Sequence, residues 1–244
     1  MELIDPRSRI IDHRLKNVDR IIGVVSGKGG VGKSLIATVS ALILAGRGFE
    51  AGLFDLDFTG PSDHTIMGEV SLKFSEDKGV VPIKVNGVKF MSILAYSKNR
   101  PLPLRGAEVS DALLDMLAVT RWDSLDLLFL DMPPGIGDTF LDIARYLKRT
   151  EYLVITNSSL LSVETVKKLL SLLLETGLPI LGVIENMKIG KVSRIKKIAE
   201  ELGTNFLGEI SFDPGLEERI GRPHELLRSA FGKELSAILE NKIL

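Results

Sequence analysis

The chain has 244 residues, of which 45% are apolar and 26% are charged, a composition typical of a globular domain with a substantial core. Its 31 Lys and Arg and 32 Asp and Glu give a net charge of −1, so no global field favours DNA or an anionic membrane as a partner. The sequence contains no cysteine, which excludes disulfides, thiolate nucleophiles and metal clusters held by its own thiolates.

Two segments bear on targeting and membrane insertion. Residues 1–20 carry Asp, Arg and Lys and no apolar stretch, so we expect an N-terminal extension that is not a secretory signal, and a cytoplasmic protein. The longest apolar stretch, residues 35–45, is roughly half as long as a membrane-spanning helix, which indicates a buried helix instead. Residues 21–244 are predicted to form a single domain.

Short β-branched runs alternate with segments of helical length, a pattern that indicates βαβ units around a mainly parallel sheet. The apolar runs are nearly continuous, as expected for strands that are covered on both faces. We therefore predict a three-layer α/β/α fold. Its predicted strands are residues 21–26, 51–55, 127–131, 152–156 and 180–185, and its predicted helices are residues 33–45, 108–118, 139–147, 163–175, 194–202 and 225–239.

Residues 70–92 interrupt this alternation. Gly79, Pro82 and the pair Asn86-Gly87 separate short runs of alternating polarity, and Asn-Gly is a strong hairpin signal. We predict a small β-hairpin insertion here.

The first predicted strand leads directly into a glycine-rich segment, residues 27–34, with the sequence GKGGVGKS. It satisfies the pattern G-x-x-x-x-G-K-[ST] between a strand and a helix, the context that identifies a phosphate-binding loop. The glycines let backbone N–H groups approach a phosphate, and the following helix adds the positive end of its dipole. The sequence thus predicts a P-loop NTPase fold with a nucleotide bound by Gly27, Gly29, Gly30, Val31, Gly32, Lys33, Ser34 and Leu35.

Within this phosphate loop, two side chains have predicted chemical tasks. Lys33 neutralises the β- and γ-phosphate oxygens, and the hydroxyl of Ser34 binds Mg²⁺. The predicted cofactors are therefore ATP and Mg²⁺.

Carboxylates end two of the predicted strands. Alternation places Asp55 and Asp57 on the same side of their strand end, near the phosphate loop. Asp131 ends an apolar run, which is the arrangement that supplies a Mg²⁺ contact, directly or through water. Asp57 is predicted to orient the attacking water and to contact the metal, whereas Asp55 either orients its segment or makes structural contacts.

The segment after Asp131, residues 133–138, reads PPGIGD. Gly135 can offer its N–H to the γ-phosphate, so this segment is predicted to act as a switch that senses the nucleotide. A purely structural turn is the alternative.

The sequence resembles the Mrp/ApbC ATPases of the MinD/ParA superfamily, which carry a deviant Walker A loop. The resemblance rests on SGKGGVGKS, on DFTGPS at residues 57–62, on DMPPGIGD at residues 131–138 and on ENM at residues 185–187. It implies that Lys28 reaches the phosphates of a partner subunit, so that the active species is a homodimer closed across ATP. It also implies that Asn186 contacts the adenine base, which favours ATP over GTP.

Members of that family hold a bridging [4Fe-4S] cluster through a C-x-x-C pair from each subunit, shortly after the ENM motif. Here residues 188–193 read KIGKVS, a shorter connection without cysteine. The resemblance therefore implies a slow ATPase that assists iron-sulfur or metallocentre protein maturation without a cluster on its own cysteines. It works as a homodimer, or as a heterodimer with a cysteine-bearing paralogue.

The alternative is a MinD/ParA-like switch whose ATP-bound form binds a membrane, DNA or a protein. The apolar stripe of the last predicted helix is interspersed with acidic residues, so core packing is favoured over membrane binding. A solvated helix face is likewise favoured over nucleic-acid or acidic-partner binding for the basic residues Lys188, Lys191, Arg194, Lys196 and Lys197. The three histidines are scattered and are predicted to be surface or packing residues: His13, His64 and His224.

Overall fold

A computed structural model describes residues 5–58, 60–68, 73–94 and 107–243. Eight strands form one sheet in the order β10-β9-β8-β1-β7-β2-β6-β5, in which β5 alone runs antiparallel to its neighbour. Two further short strands, β3 and β4, pair with each other. The strands are β1 (Val18–Val25), β2 (Ala51–Asp55), β3 (Ser75–Glu76), β4 (Val80–Val81), β5 (Ile83–Val85), β6 (Val88–Ser92), β7 (Leu125–Asp131), β8 (Thr150–Thr156), β9 (Ile180–Lys188) and β10 (Phe206–Ser211).

Helices cover both faces of the sheet, which confirms the predicted three-layer α/β/α fold. One buried cluster joins the sheet to α2, α8 and α9, and the other joins it to α1, α4, α5, α6 and α7. The helices are α1 (Arg7–Leu15), α2 (Lys33–Gly46), α3 (Asp63–Ile66), α4 (Ala107–Val119), α5 (Asp138–Tyr146), α6 (Leu160–Glu175), α7 (Arg194–Glu201), α8 (Pro223–Arg228) and α9 (Ala230–Lys242), and Glu217–Arg219 form a 3₁₀ turn.

All five predicted strands are present, and four of them are longer than predicted. Four elements had no sequence prediction: α1, which buries only Ile11 and Leu15, the short helix α3, the 3₁₀ turn, and β10, a short strand at the sheet edge. Because β1 begins at Val18, the predicted boundary between extension and domain at residue 20 lies inside a strand. The side chain of Arg14 also ties α1 to α4 through a 3.0 Å hydrogen bond to the carbonyl of Ala118.

The predicted hairpin is confirmed for β5 and β6, which turn at Asn86 and Gly87 with φ values of 49° and 87°. β6 also pairs in parallel with β2, so the hairpin extends the main sheet. Residues 70–72 of the predicted segment lie outside the described residues.

The prediction of one helix at residues 225–239 is wrong, because α8 and α9 are separated at Ser229. Its hydroxyl accepts a 3.0 Å hydrogen bond from the N–H of Gly232 and donates a 2.6 Å bond to the carbonyl of Leu226, so Ser229 caps the second helix. Phe231, Leu235 and Ile238 are buried, as predicted for packing residues. Across the described part of the chain, no helix combines the length and the apolar character needed to cross a bilayer.

The break between α8 and α9 places Gly232 against the backbone of Leu226 and Leu227. A Cβ at Gly232 would lie 2.4 Å from the carbonyl oxygen of Leu226, whereas a Cβ at Gly46, the last residue of α2, meets nothing within 4 Å. We expect Gly232→Ala to lower the free energy of unfolding by about 1–3 kcal/mol through overpacking. The matched control Gly46→Ala should be neutral or stabilising by up to about 0.5 kcal/mol. Urea denaturation measures both changes, and equal effects would contradict the packing described here.

Candidate functional site

The predicted site residues gather at the carboxyl ends of three neighbouring strands. The order β1-β7-β2 places Asp131, the last residue of β7, beside Val24 of β1 and opposite Asp55 of β2. The strand order reverses direction at β1, whose neighbours β7 and β8 both follow it in sequence. The crevice at such a reversal is where open α/β sheets bind ligands.

The phosphate loop connects β1 to α2 with a backbone that its glycines make possible. Gly30 and Gly32 have φ values of 75° and 85°, a region that favours glycine. A Cβ at Gly32 would lie 2.2 Å from the Nδ2 atom of Asn186, so no larger residue fits there. Gly29 and Gly30 face open space on the other side, since a Cβ at either position meets nothing within 4 Å.

The two loop residues with predicted tasks converge on Asp131. The ammonium of Lys33, whose side chain is 6% exposed, lies 2.5 Å from the Oδ1 atom of Asp131. The hydroxyl of Ser34 donates a 2.6 Å hydrogen bond to Oδ2 of the same carboxylate. One buried carboxylate therefore holds both side chains at the start of α2, where the dipole of the helix also favours an anion.

Two further carboxylates lie close to Asp131. One oxygen each of Asp55, Asp63 and Asp131 lies within 4.8 Å of the others, and all three residues are fully buried. Asp63 was not identified from the sequence, because it starts the four-residue helix α3, well after the end of β2. The only local signal is its position directly after the DFTGPS motif. Its Oδ1 atom accepts a 2.9 Å hydrogen bond from Thr38 of α2.

Burial raises the pKa of all three carboxyl groups above its ordinary value. For Asp55 and Asp63 the negative charge of Asp131 adds to this effect, and Lys33 opposes it. For Asp131 the charge and the hydrogen bond of Lys33 oppose the burial. The raised pKa of each group favours its protonated, neutral form, unless a cation stabilises the ionised carboxylates.

Asp57, predicted to orient water, lies just beyond β2. The strand ends at Asp55, so strand alternation does not position Asp57 as the sequence suggested: Asp55 is fully buried and Asp57 is half-buried. The N–H of Asp57 donates a 3.2 Å hydrogen bond to Oδ1 of Asp55, and its own Oδ1 accepts one of 3.2 Å from the N–H of Gly60. Asp55 thus orients the segment that carries Asp57, one of the two roles predicted for it.

Lys28 lies at the rim of the phosphate loop. Its ammonium contacts the hydroxyl of Ser159 at 3.2 Å, and Ser159 caps the start of α6 by accepting a hydrogen bond from the N–H of Ser162. The segment of residues 156–160 is therefore in direct contact with the lysine that the family resemblance assigns to the partner's phosphates.

Gly135 and Asn186 both support the phosphate-loop region in this structure. The N–H of Gly135 donates a 2.9 Å hydrogen bond to the carbonyl of Ser26, at the end of β1. The amide of Asn186, which is 1% exposed, donates a 2.9 Å bond to the carbonyl of Val31. Contacts of these two residues with the γ-phosphate and with adenine stay predictions.

The start of α6 and the connection between β9 and α7 carry exposed apolar side chains. The four most exposed large apolar side chains of the described residues lie either at the start of α6 or in this connection: Leu160 (70% exposed), Leu161 (74%), Ile189 (75%) and Val192 (80%). Ile189 and Val192 line an open pocket of about 530 Å³ together with Ser158. We call these four side chains the apolar patch. Ser158 lines the same pocket as Ile189 and Val192, and the next residue, Ser159, contacts Lys28.

The predicted basic segment, residues 188–197, is less uniform than its sequence suggests. Lys188 is buried, and its ammonium pairs with Glu209 and lies 3.4 Å from Glu185. Lys188 is therefore not part of a basic surface. Lys191 and Arg194 do line the pocket beside the apolar patch.

Comparisons with known proteins agree with this site. The family model described as "ParA: NUBPL iron-transfer P-loop NTPase" matches residues 17–243. An iron-sulfur cluster carrier protein of Aquifex aeolicus is 33% identical over 94% of this chain and 71% of its own length. The corresponding protein of Saccharolobus solfataricus is 38% identical over 85% of this chain and 76% of its own. That of Escherichia coli is 33% identical, and the match covers 92% of this chain but only 65% of the E. coli protein.

Solved structures show the same fold. A nucleotide-binding protein of Archaeoglobus fulgidus in complex with ADP superimposes with a TM-score of 0.77 at 26% identity, over 93% of this chain and 96% of its own. The Mg-ADP complex of MinD from Pyrococcus horikoshii gives a TM-score of 0.67 at 20% identity, over 91% of this chain and 94% of its own, and supports the fold alone. The chain belongs to the ParA/NUBPL iron-transfer P-loop NTPase family, the group that its resemblance to Mrp/ApbC ATPases predicted.

Proposed function

We propose that this protein binds and slowly hydrolyses ATP with Mg²⁺ as a dimeric switch that assists the maturation of iron-sulfur or other metallocentre proteins. The observation that carries this proposal is the convergence of Lys33 and Ser34 on the buried carboxylate of Asp131. These three groups are a cation for phosphate oxygens, a hydroxyl and a carboxylate, the set that phosphoryl-transfer sites use.

The residues present fit ATP with Mg²⁺. Gly29 and Gly30 leave the open side of the phosphate loop free of side chains, so a phosphate can approach their backbone. The N-cap of α2 is Gly32, which has no side chain to occupy the free N–H groups of the first helical turn. Ser34 and Asp131 offer the oxygen ligands that Mg²⁺ prefers. When bound, Mg²⁺ neutralises charge on the β- and γ-phosphates.

Each side chain then has a task in hydrolysis. Lys33 exchanges its partner Asp131 for the β- and γ-phosphate oxygens, a transfer within one buried site. Asp57, held through its N–H by Asp55, orients the attacking water. The N–H of Gly135 leaves the carbonyl of Ser26 and donates to the γ-phosphate instead. This exchange lets the segment after β7 sense the nucleotide.

The partner of this chain is a second copy, or a paralogue that carries cysteines. Lys28 lies at the rim of the loop, where it can exchange Ser159 for the phosphates of the facing subunit. When the dimer closes, the partner subunit also covers the surface next to Lys28. We assign this role to the apolar patch, because groups of large exposed apolar side chains are typical of protein interfaces.

The absence of cysteine separates this chain from any role that needs a protein thiolate. Its relatives are named iron-sulfur cluster carrier proteins. We propose that the chain acts in the same kind of pathway through its ATP-driven dimer, and that cluster ligands come from a client or a paralogue.

A MinD/ParA-like partner switch is the second candidate function. The apolar patch has Lys191 and Arg194 at its pocket, and this mixture of apolar and basic side chains favours an acidic protein partner over a membrane or DNA. In that case ATP controls the binding of this partner and not the maturation of a metallocentre.

Lysine variants test the assignment of the ATP site. Lys33→Ala removes the cation from the phosphates, and we expect ATP hydrolysis to fall at least about 100-fold, as it does when one preorganised charge contact is lost. Lys28→Ala should retain ATP binding, because its task lies in the partner's site, but lose both ATP-dependent dimerisation and hydrolysis. Phosphate release, ATP binding and sedimentation measure the three properties. Full hydrolysis by Lys33→Ala would contradict the proposal.

Two substitutions on α6 test the dimer surface. Leu161 belongs to the apolar patch, and Leu174 is an exposed leucine near the other end of the same helix. We expect Leu161→Gln to weaken ATP-dependent dimerisation about 10-fold, since apolar burial is lost at the interface. Leu174→Gln should dimerise like the unmodified chain. Sedimentation over a concentration series measures both, and an equal effect of the two changes would remove the apolar patch from the interface.

A further inference from the structure

The positive charge that contacts the carboxylate cluster beside the phosphate loop is smaller than the negative charge of the ionised cluster. Asp55, Asp63 and Asp131 are fully buried within 4.8 Å of one another, and among the described residues Lys33 is the cationic side chain that contacts them. With all groups ionised, two negative charges stay uncompensated inside the protein. Buried charges that are not paired are strongly destabilising, so the site needs either protons or another cation.

One oxygen points to a cation. The Oδ2 atom of Asp63 is buried and has no hydrogen-bond partner among the residues that the structure describes, although its Oδ1 atom accepts a hydrogen bond from Thr38. Buried carboxylate oxygens in folded proteins are normally bonded, and an unbonded one in a group of acids is a free ligand position. Thr38 fixes the side chain of Asp63 in place, because it supplies one hydrogen bond and leaves the other oxygen available.

We propose that Asp55, Asp63 and Asp131 form a site for one divalent cation that is occupied in the absence of nucleotide. The site offers only oxygen ligands, which suits hard cations such as Mg²⁺, Mn²⁺ or Ca²⁺. Two positive charges balance the two that the cluster leaves uncompensated. The separation of the three oxygens is compatible with one shared ion, because such ions bind oxygen at about 2.0–2.6 Å.

This site shares only Asp131 with the Mg²⁺ site that we propose for bound ATP. The ATP-dependent ion uses the hydroxyl of Ser34, whereas the site inferred here uses Asp63, which lies on α3 outside the phosphate loop. Both use Asp131. The inference does not depend on ATP hydrolysis, and measurements without nucleotide keep its failure separate from failure of the proposed function.

The site gives the protein a second way to respond to nucleotide. When Lys33 leaves Asp131 for a phosphate, the cluster loses its cationic contact, and the need for a metal ion increases. By linkage, an ion already in place favours the state in which Lys33 binds phosphate.

Manganese binding to the nucleotide-free full chain tests this inference. After metal removal with EDTA and buffer exchange, Mn²⁺ is titrated and the free ion is followed by electron paramagnetic resonance. We expect one Mn²⁺ per chain. Asp63→Asn should weaken binding at least about 10-fold, since the substitution removes a charged ligand. The surface control Asp12→Asn should bind Mn²⁺ like the unmodified chain.

The outcomes separate the alternatives. No Mn²⁺ binding by the unmodified chain would overturn the inference and show that protons neutralise the cluster. Binding of unchanged strength in Asp63→Asn would overturn it in favour of a site that does not use Asp63. Thermal unfolding with and without Mn²⁺ controls for misfolding: the melting temperature should rise with Mn²⁺ in the unmodified chain and in Asp12→Asn, and should not change in a folded Asp63→Asn.

Discussion

The contact between Lys33 and Asp131 governs the arrangement of the site. It joins the first residue of α2 to the last residue of β7 at 2.5 Å, within a region where both side chains are buried. Because burial makes an unpaired charge costly, neither group can leave without a substitute partner. A nucleotide phosphate is a substitute for the carboxylate, and a cation is a substitute for the lysine. The same contact therefore keeps the site ready and makes it responsive to its ligands.

Strand pairing fixes the positions of the charged groups of the site. Parallel pairing sets Asp55 opposite Asp131, and the register of β1 sets the start of the phosphate loop beside them. Gly32 then brings the loop against Asn186, at a distance that excludes any side chain. Beyond Asn186, β9 continues to Lys188 and leads into the connection that carries half of the apolar patch. The loop and the exposed surface are thus joined by one short, buried path along β9.

The sequence predicts those parts of the site that are encoded locally. Lys33, Ser34 and Asp131 follow from a complete motif and from an apolar strand that ends in one acid, so no tertiary information is needed. Asp63 depends on how α3 folds back to Thr38, a contact between residues 25 positions apart that no local pattern signals. The break at Ser229 is hidden because the apolar spacing runs through it, and the place of β6 between β2 and β5 depends on its pairing with β2.

The central claim is that an ATP-driven member of this family can act without a cluster on its own cysteines. The measurement that tests it most directly is anaerobic reconstitution of the purified full chain with iron and sulfide. Iron content and visible absorption are recorded per chain, with and without ATP, and the molecular mass is measured in the same samples. The account predicts background iron together with a dimer that forms with ATP. A stoichiometric cluster on the purified chain would contradict it.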